Sequence, residues 1–149
     1  DQLAGTTAAL PISAGGISGG TWALSADGRY VSYYNSSSLE IEVYDRQSNT
    51  VEKLTTTASN SGSGAPTSIS ASGRYVTYRA SATANGTPYA VVYDRQTKTR
   101  ANLSSYGATG SNAVISGDGR HIVVDKVAIA NPLFVNDGFC SIYNPYVSQ

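Results

Sequence analysis

One cysteine in 149 residues leaves no partner for an internal disulfide and excludes a cysteine-rich zinc site. A single histidine, His121, excludes a multi-histidine metal site within one chain. Neither sign of charge is in excess, with ten Lys and Arg against ten Asp and Glu. The chain therefore lacks the concentrated positive surface that nucleic acid or an anionic membrane surface requires. No apolar run reaches the roughly 18–20 residues of a membrane-spanning helix, so no membrane insertion is expected. Charged residues make up only 13% of the chain, yet 40% are hydrophobic, which is too apolar for a disordered segment. Methionine is absent and the first residue is Asp1, which reads as a processed or trimmed start. The length predicts one domain with a real core.

What is present points to β structure. There are 11 Tyr and 15 Gly, with abundant Thr, Ser and Val. Tyr, Val and Thr favour strands, and Gly and Ser punctuate turns. No window sustains a 3.6-residue apolar period. In Leu39-Glu40-Ile41-Glu42-Val43-Tyr44 the odd positions are aliphatic and the even ones polar or amphipathic. That alternation predicts a strand with one face buried and one face wet.

The chain repeats. Ser25-Ala26-Asp27-Gly28-Arg29-Tyr30-Val31 recurs as Ser70-Ala71-Ser72-Gly73-Arg74-Tyr75-Val76 and as Ser116-Gly117-Asp118-Gly119-Arg120-His121-Ile122. The Gly-Arg pairs lie 45 and 46 residues apart. A second marker, Val43-Tyr44-Asp45-Arg46-Gln47, returns as Val92-Tyr93-Asp94-Arg95-Gln96 and more weakly as Ile142-Tyr143-Asn144-Pro145, at spacings of 49 and 50. A period in the forties with several short strands per unit is the signature of propeller blades.

Each unit divides into four strands, a to d. The first is predicted at Trp22–Ser25, Tyr30–Tyr34, Leu39–Asp45 and Val51–Thr55, the second at Thr67–Ser70, Tyr75–Tyr78, Tyr89–Asp94 and Arg100–Ser104. The third has Ala113–Ser116, His121–Asp125 and Phe139–Tyr143, after which six residues are too few for strand d. The segment Thr7–Ser13 parallels strand d of the other units and is expected to act as that orphan strand. One domain, 1–149, then comprises the orphan strand and linker (1–19), blade 1 (20–62), blade 2 (63–110) and an incomplete blade 3 (111–149).

The order Ser-x-Asp-Gly-Arg-Tyr-Val, alternating strand, Val-Tyr-Asp-Arg-Gln resembles the TolB-like β-propeller repeat, from about residue 6 to 146. The resemblance implies an all-β propeller of four-stranded blades. Such repeats occur in periplasmic scaffolds, secreted lectin-like modules and the gating domains of peptidases. Propellers have 4–8 blades, and this chain supplies three. Two uncovered sheet faces predict an interface. Two chains of three blades give the six-bladed ring usual for the repeat, with each N-terminal strand completing the partner's third blade. Leu10, Ile12, Ile142 and Tyr143 would form that strand-exchange joint. A rotation that does not close gives a filament, and a fragment of a longer propeller is the third possibility.

The candidate chemistry is thin. Gly16-Ile17-Ser18-Gly19-Gly20 matches the nucleophile elbow, but no helix follows. His121 stands where the other units have Tyr30 and Tyr75, as a structural ring would. The Asp27, Asp118 and Asp137 turns lack the alternating acids of a calcium loop, so no metal and no cofactor is expected. Arg46 and Arg95 are expected in surface ion pairs with Asp45, Asp94 or a neighbouring blade, and Cys140 as a buried thiol. The b–c connection grows from 15 to 19 to 23 residues between the repeated Arg and Tyr, which predicts a projecting loop face. Tyr33, Tyr34, Tyr89 and Phe134 are the aromatics expected to meet a carbohydrate or peptide there. The favoured function is a secreted, non-enzymatic propeller, extracellular or periplasmic, that assembles with itself. The alternative is a hydrolase or lyase with its site over the central channel.

Overall fold

The Ser-x-Asp-Gly-Arg segments fold as hairpin turns wired alike. The protein is seen here in a computed structural model that describes residues 17–54, 66–81, 86–106, 110–125 and 127–133. The first turn joins β1 (Ile17–Leu24) to β2 (Tyr30–Asn35). Ser25 Oγ donates to Asp27 Oδ1 at 2.6 Å and accepts from the Tyr30 N–H at 2.9 Å. Ser116, Asp118 and His121 repeat both bonds. In the middle turn Ser70 Oγ accepts from the Tyr75 N–H at 3.0 Å. Gly28, Gly73 and Gly119 take φ of 68°, 74° and 76°, the left-handed region open to glycine at no steric cost.

These turns start three antiparallel sheets. Blade 1 runs β1-β2-β3-β4, with β3 at Glu40–Asp45 and β4 at Thr50–Lys53. Blade 2 repeats the order in β5 (Ser68–Ile69), β6 (Tyr75–Ser81), β7 (Pro88–Asp94) and β8 (Thr99–Asn102). A 3₁₀ turn, Leu103–Tyr106, follows where the sequence predicts the end of a strand. Blade 3 shows β9 (Ala113–Ile115), β10 (His121–Val124) and β11 (Val127–Ala130) in the order β11-β10-β9.

Core forms between blades, face on face. Tyr34, Ile41, Val43 and Leu54 of blade 1 pack on Ile69, Val76, Tyr78 and Val91 of blade 2. Tyr75, Ala90 and Val92 pack on Ala113, Ile115, Ile122 and Val124 of blade 3. Alternate residues of one strand thus serve different layers. Between blades the first strand of the later blade makes the main contact, β5 against β1, and β9 against β6 and β5.

Two expectations are corrected here. Strand β3 is buried on both faces, including Glu40 and Glu42, where one wet face was predicted. Glu42 is satisfied by Tyr33, Asn35 and Ser38, and Glu40 lies 2.7 Å from Lys53 Nζ. The third unit's strand c is β11, not Phe139–Tyr143. His121 faces Ala130 as Tyr30 faces Asp45 and Tyr75 faces Asp94. The Asn131 N–H donates to the Arg120 carbonyl, as Arg46 does to Arg29 and Arg95 to Arg74. The long third b–c connection is therefore a tight turn at Asp125, and the series of growing loops ends with blade 2. The ground for strand exchange, too little chain after strand c, falls with it. Leu10, Ile12, Phe134, Cys140, Ile142 and Tyr143 lie outside the described residues.

Candidate functional site

The repeated letters converge on the joints between blades. Arg29 reaches back to Asp45 with two bonds, 2.9 and 2.7 Å, and Arg74 to Asp94 at 3.0 and 2.9 Å. The two sequence markers are thus halves of one cluster. Of the partners expected for Arg46 and Arg95, Asp45 and Asp94 are taken by Arg29 and Arg74, whereas the neighbouring blade does supply one, since Arg95 pairs with Glu52 of blade 1. Arg46 and Arg95 also donate to the Gly28 and Gly73 carbonyls, each at 2.7 Å. In blade 3 Asn131 Nδ2 replaces them, donating to the Gly119 carbonyl at 2.7 Å.

Across each joint the aromatic ring opening strand b lies on the turn glycine of the next blade. A β-carbon on Gly73 would clash with the edge atoms Cδ2, Cε2 and Cγ of the Tyr30 ring, and one on Gly119 would lie 2.6 Å from Tyr75. Arg95 then covers Tyr30 at 4.3 Å from its centroid, in cation–π range, and pairs with Glu52 of blade 1 at 2.8 Å. Lys98 adds a second bond to Glu52. Two backbone bonds continue the joint: Ala26 N–H to Ala71 carbonyl at 3.1 Å, and Ala71 N–H to Gly117 carbonyl at 2.8 Å. Higher in the blade, Ser32 shares a 2.9 Å bond with Thr67, and Thr77 donates to the Ala113 carbonyl at 2.9 Å.

Blade 3 carries the same outward face without a described neighbour. Val123 occupies the position of Ser32 and Thr77. Those two are fully buried; Val123 is 47% exposed and Val114 on β9 is 62% exposed. His121, Ala128 and Ala130 on this face are exposed as well. On the opposite end, the outward face of blade 1 is buried at its centre, where Val31, Tyr33 and Tyr44 cluster. It is open at its margin, where Trp22 is 59% exposed and Leu24, Arg46 and the Asp27 turn are exposed too.

Two of the four aromatics expected to meet a ligand, Tyr33 and Tyr34, are placed differently from expectation. Tyr33 and Tyr34 are 1% exposed, Tyr34 in the joint core and Tyr33 donating to Glu42 Oε2 at 2.6 Å. Neither offers a ring face to a ligand, because adjacent strand residues here enter two different packed layers. Tyr89 is half-buried against the first core. Burial and Glu42 push the Tyr33 hydroxyl well above its ordinary value, and burial pushes Tyr78 up to about 12. Tyr33→Phe leaves a buried carboxylate short of one donor. It is expected to cost about 2 kcal/mol in urea unfolding, and an unchanged midpoint would show that the bond contributes nothing.

Asp27 and Asp118 are committed to their own turns. Bonds from Ser25 and Ser116, then from the Arg29 and Arg120 N–H groups, hold their carboxyls below the usual range. The nucleophile-elbow match falls in a strand, since β1 begins at Ile17. His121 holds the structural ring position, exposed rather than packed.

No family model matches the sequence, and no curated protein matches it. Among solved structures the chain is similar to TolB from Acinetobacter baumannii, with a TM-score of 0.51 and 21% identity, over 68% of this chain and 25% of that one. It is also similar to the tricorn protease, with a TM-score of 0.48 and 15% identity, over 68% of this chain and 10% of that one. The chain thus spans about a quarter of the TolB chain, and likeness at this identity speaks for fold alone. Three stacked antiparallel blades, each opened by the same Ser-Gly-Arg turn, have the fold of a TolB-like β-propeller.

Proposed function

We propose that the chain is a scaffold module of the propeller type that stacks on a second copy of itself through the outward face of blade 3. One observation carries this: the strand-b position fully buried in blades 1 and 2 is Val123 in blade 3, 47% exposed and apolar. Exposed apolar sheet surface of this kind marks an interaction site. The two ends of the stack differ, so the contact is head to tail and yields a ring or a filament. Stacking here is blade on blade and needs no exchanged strand. The low charge content and the Ser, Thr and Tyr enrichment support a periplasmic or extracellular setting. Among the described residues no helix is long and apolar enough to cross a membrane.

Val123→Asp places a charge that stacking would have to desolvate. It is expected to weaken self-association at least 50-fold by sedimentation velocity while leaving the circular dichroism spectrum unchanged. An unaltered sedimentation profile would overturn the assignment of this face.

A further inference from the structure

The two internal joints share one register, and its first-strand and turn positions have counterparts at the chain's two ends. Counting back from Ser25, Ser70 and Ser116, the first-strand residue that meets the preceding blade is Thr67 in blade 2 and Ala113 in blade 3. In blade 1 it is Trp22. The strand-b residue that meets it is Ser32, then Thr77, then Val123. Internally the pair is a hydroxyl bond, Ser32 with Thr67 or Thr77 with the Ala113 carbonyl. At the ends it is Val123 and Trp22, both apolar and both about half exposed.

The turn region matches in the same way. Each internal joint seats a ring on a glycine, Tyr30 on Gly73 and Tyr75 on Gly119. The unused ring is His121 and the unused glycine is Gly28. A β-carbon on Gly28 would meet only Arg46, at an ordinary 3.6 Å. Arg46 already holds the Gly28 carbonyl as Arg95 holds that of Gly73, but among the described residues it has no ring beneath it. The backbone ladder Ala26 to Ala71 to Gly117 ends with an N–H on Gly117 and a carbonyl on Ala26 that no described backbone group engages.

Resting on the stacking proposed above, we infer that the joint between copies repeats the first-strand and turn contacts of the internal joints. Val123 of one chain packs on Trp22 of the next, His121 lies on Gly28 under Arg46, and the Gly117 N–H donates to the Ala26 carbonyl. Because each internal joint is made chiefly by the first strand of the later blade, the margin of blade 1 is the part that such a partner meets. The buried centre around Tyr33 stays as it is. The apolar pair replaces the hydroxyl pair because these two side chains must attract from solution, where hydrophobic burial is the stronger drive.

Trp22 is the sole tryptophan, so its fluorescence reports the joint. The test uses two variants, Val123→Asp and Trp22→Thr, the latter borrowing the blade 2 residue so that the strand still forms. Each alone is expected to be monomeric at concentrations where the unmodified chain associates. Mixed in equal amounts, each supplies the end the other lacks. They should form a one-to-one complex in which the tryptophan, now only on the Val123→Asp chain, shifts its emission to the blue. His121→Tyr in the unmodified background should tighten association about fivefold.

Association of the unmodified chain, with no complex and no emission shift in the mixture, would overturn this joint and leave stacking to another surface. Unchanged affinity in His121→Tyr would overturn the turn half of it. A monomeric unmodified chain would overturn the stacking itself.

Discussion

Gly73→Ala is expected to be the most damaging single methyl in the chain. Its φ of 74° costs a side chain about 1–2 kcal/mol. The new carbon would also enter the space of the Tyr30 ring, which Arg95 and Arg29 both cover. Forcing that ring off its seat costs about 1–3 kcal/mol more. Gly28→Ala supplies the control: φ is 68°, yet the nearest atom is Arg46 Nη1 at 3.6 Å, so only the backbone cost applies. In urea unfolding, Gly73→Ala should lie about 2 kcal/mol below Gly28→Ala. Equal losses would mean that the ring-on-glycine seat does not hold the blades together.

Asp94→Ala is expected to cost about 3–5 kcal/mol, the loss typical of breaking a buried ion pair from one side. The Asp94 side chain is 1% exposed and accepts two bonds from Arg74 and one from the Gln96 N–H. Asp45→Ala should cost less, because its partner Arg29 is more open to water than Arg74. The pH dependence follows from the same groups. Burial alone would raise the Asp94 carboxyl, but Arg74 and the Gln96 N–H outweigh it and hold it below its ordinary value. A carboxyl lowered on folding stabilises above its unfolded value near 3.9 and loses that contribution as pH falls through the folded value. Asp27, Asp45, Asp118 and Asp125 are lowered too, so stability falls on acidification below about pH 4. Asp94→Ala should show a shallower fall across that range. An equally steep fall would assign the acid sensitivity to the other four.

The repeat was legible because the turn imposes the same demands each time. A serine caps it, a glycine turns it, and an arginine leaves it. That the arginine closes on the aspartate of the second marker was not legible: two recurring letters show a shared period, not a contact across 16 residues. Strand β11 escaped because Val127-Ala128-Ile129-Ala130-Asn131 shares almost no letters with Val43-Tyr44-Asp45-Arg46. Its place is held by the ladder to β10 and by the Asn131 N–H on the Arg120 carbonyl, both backbone bonds that any residue can make. Alternation in β3 showed correctly that its two faces differ. It could not show that the polar face is closed, since that depends on Tyr33, Asn35 and Lys53 from other strands. The burial of Tyr33 and Tyr34 is hidden for the same reason: as neighbours they look like a surface pair until both faces of the strand are covered.

Blade-on-blade association is tested most directly by the mass of the unmodified chain in solution, by light scattering across a dilution series. Stacking predicts a mass of at least twice 15.5 kDa at high concentration that declines on dilution. A folded chain holding 15.5 kDa at every concentration would contradict it.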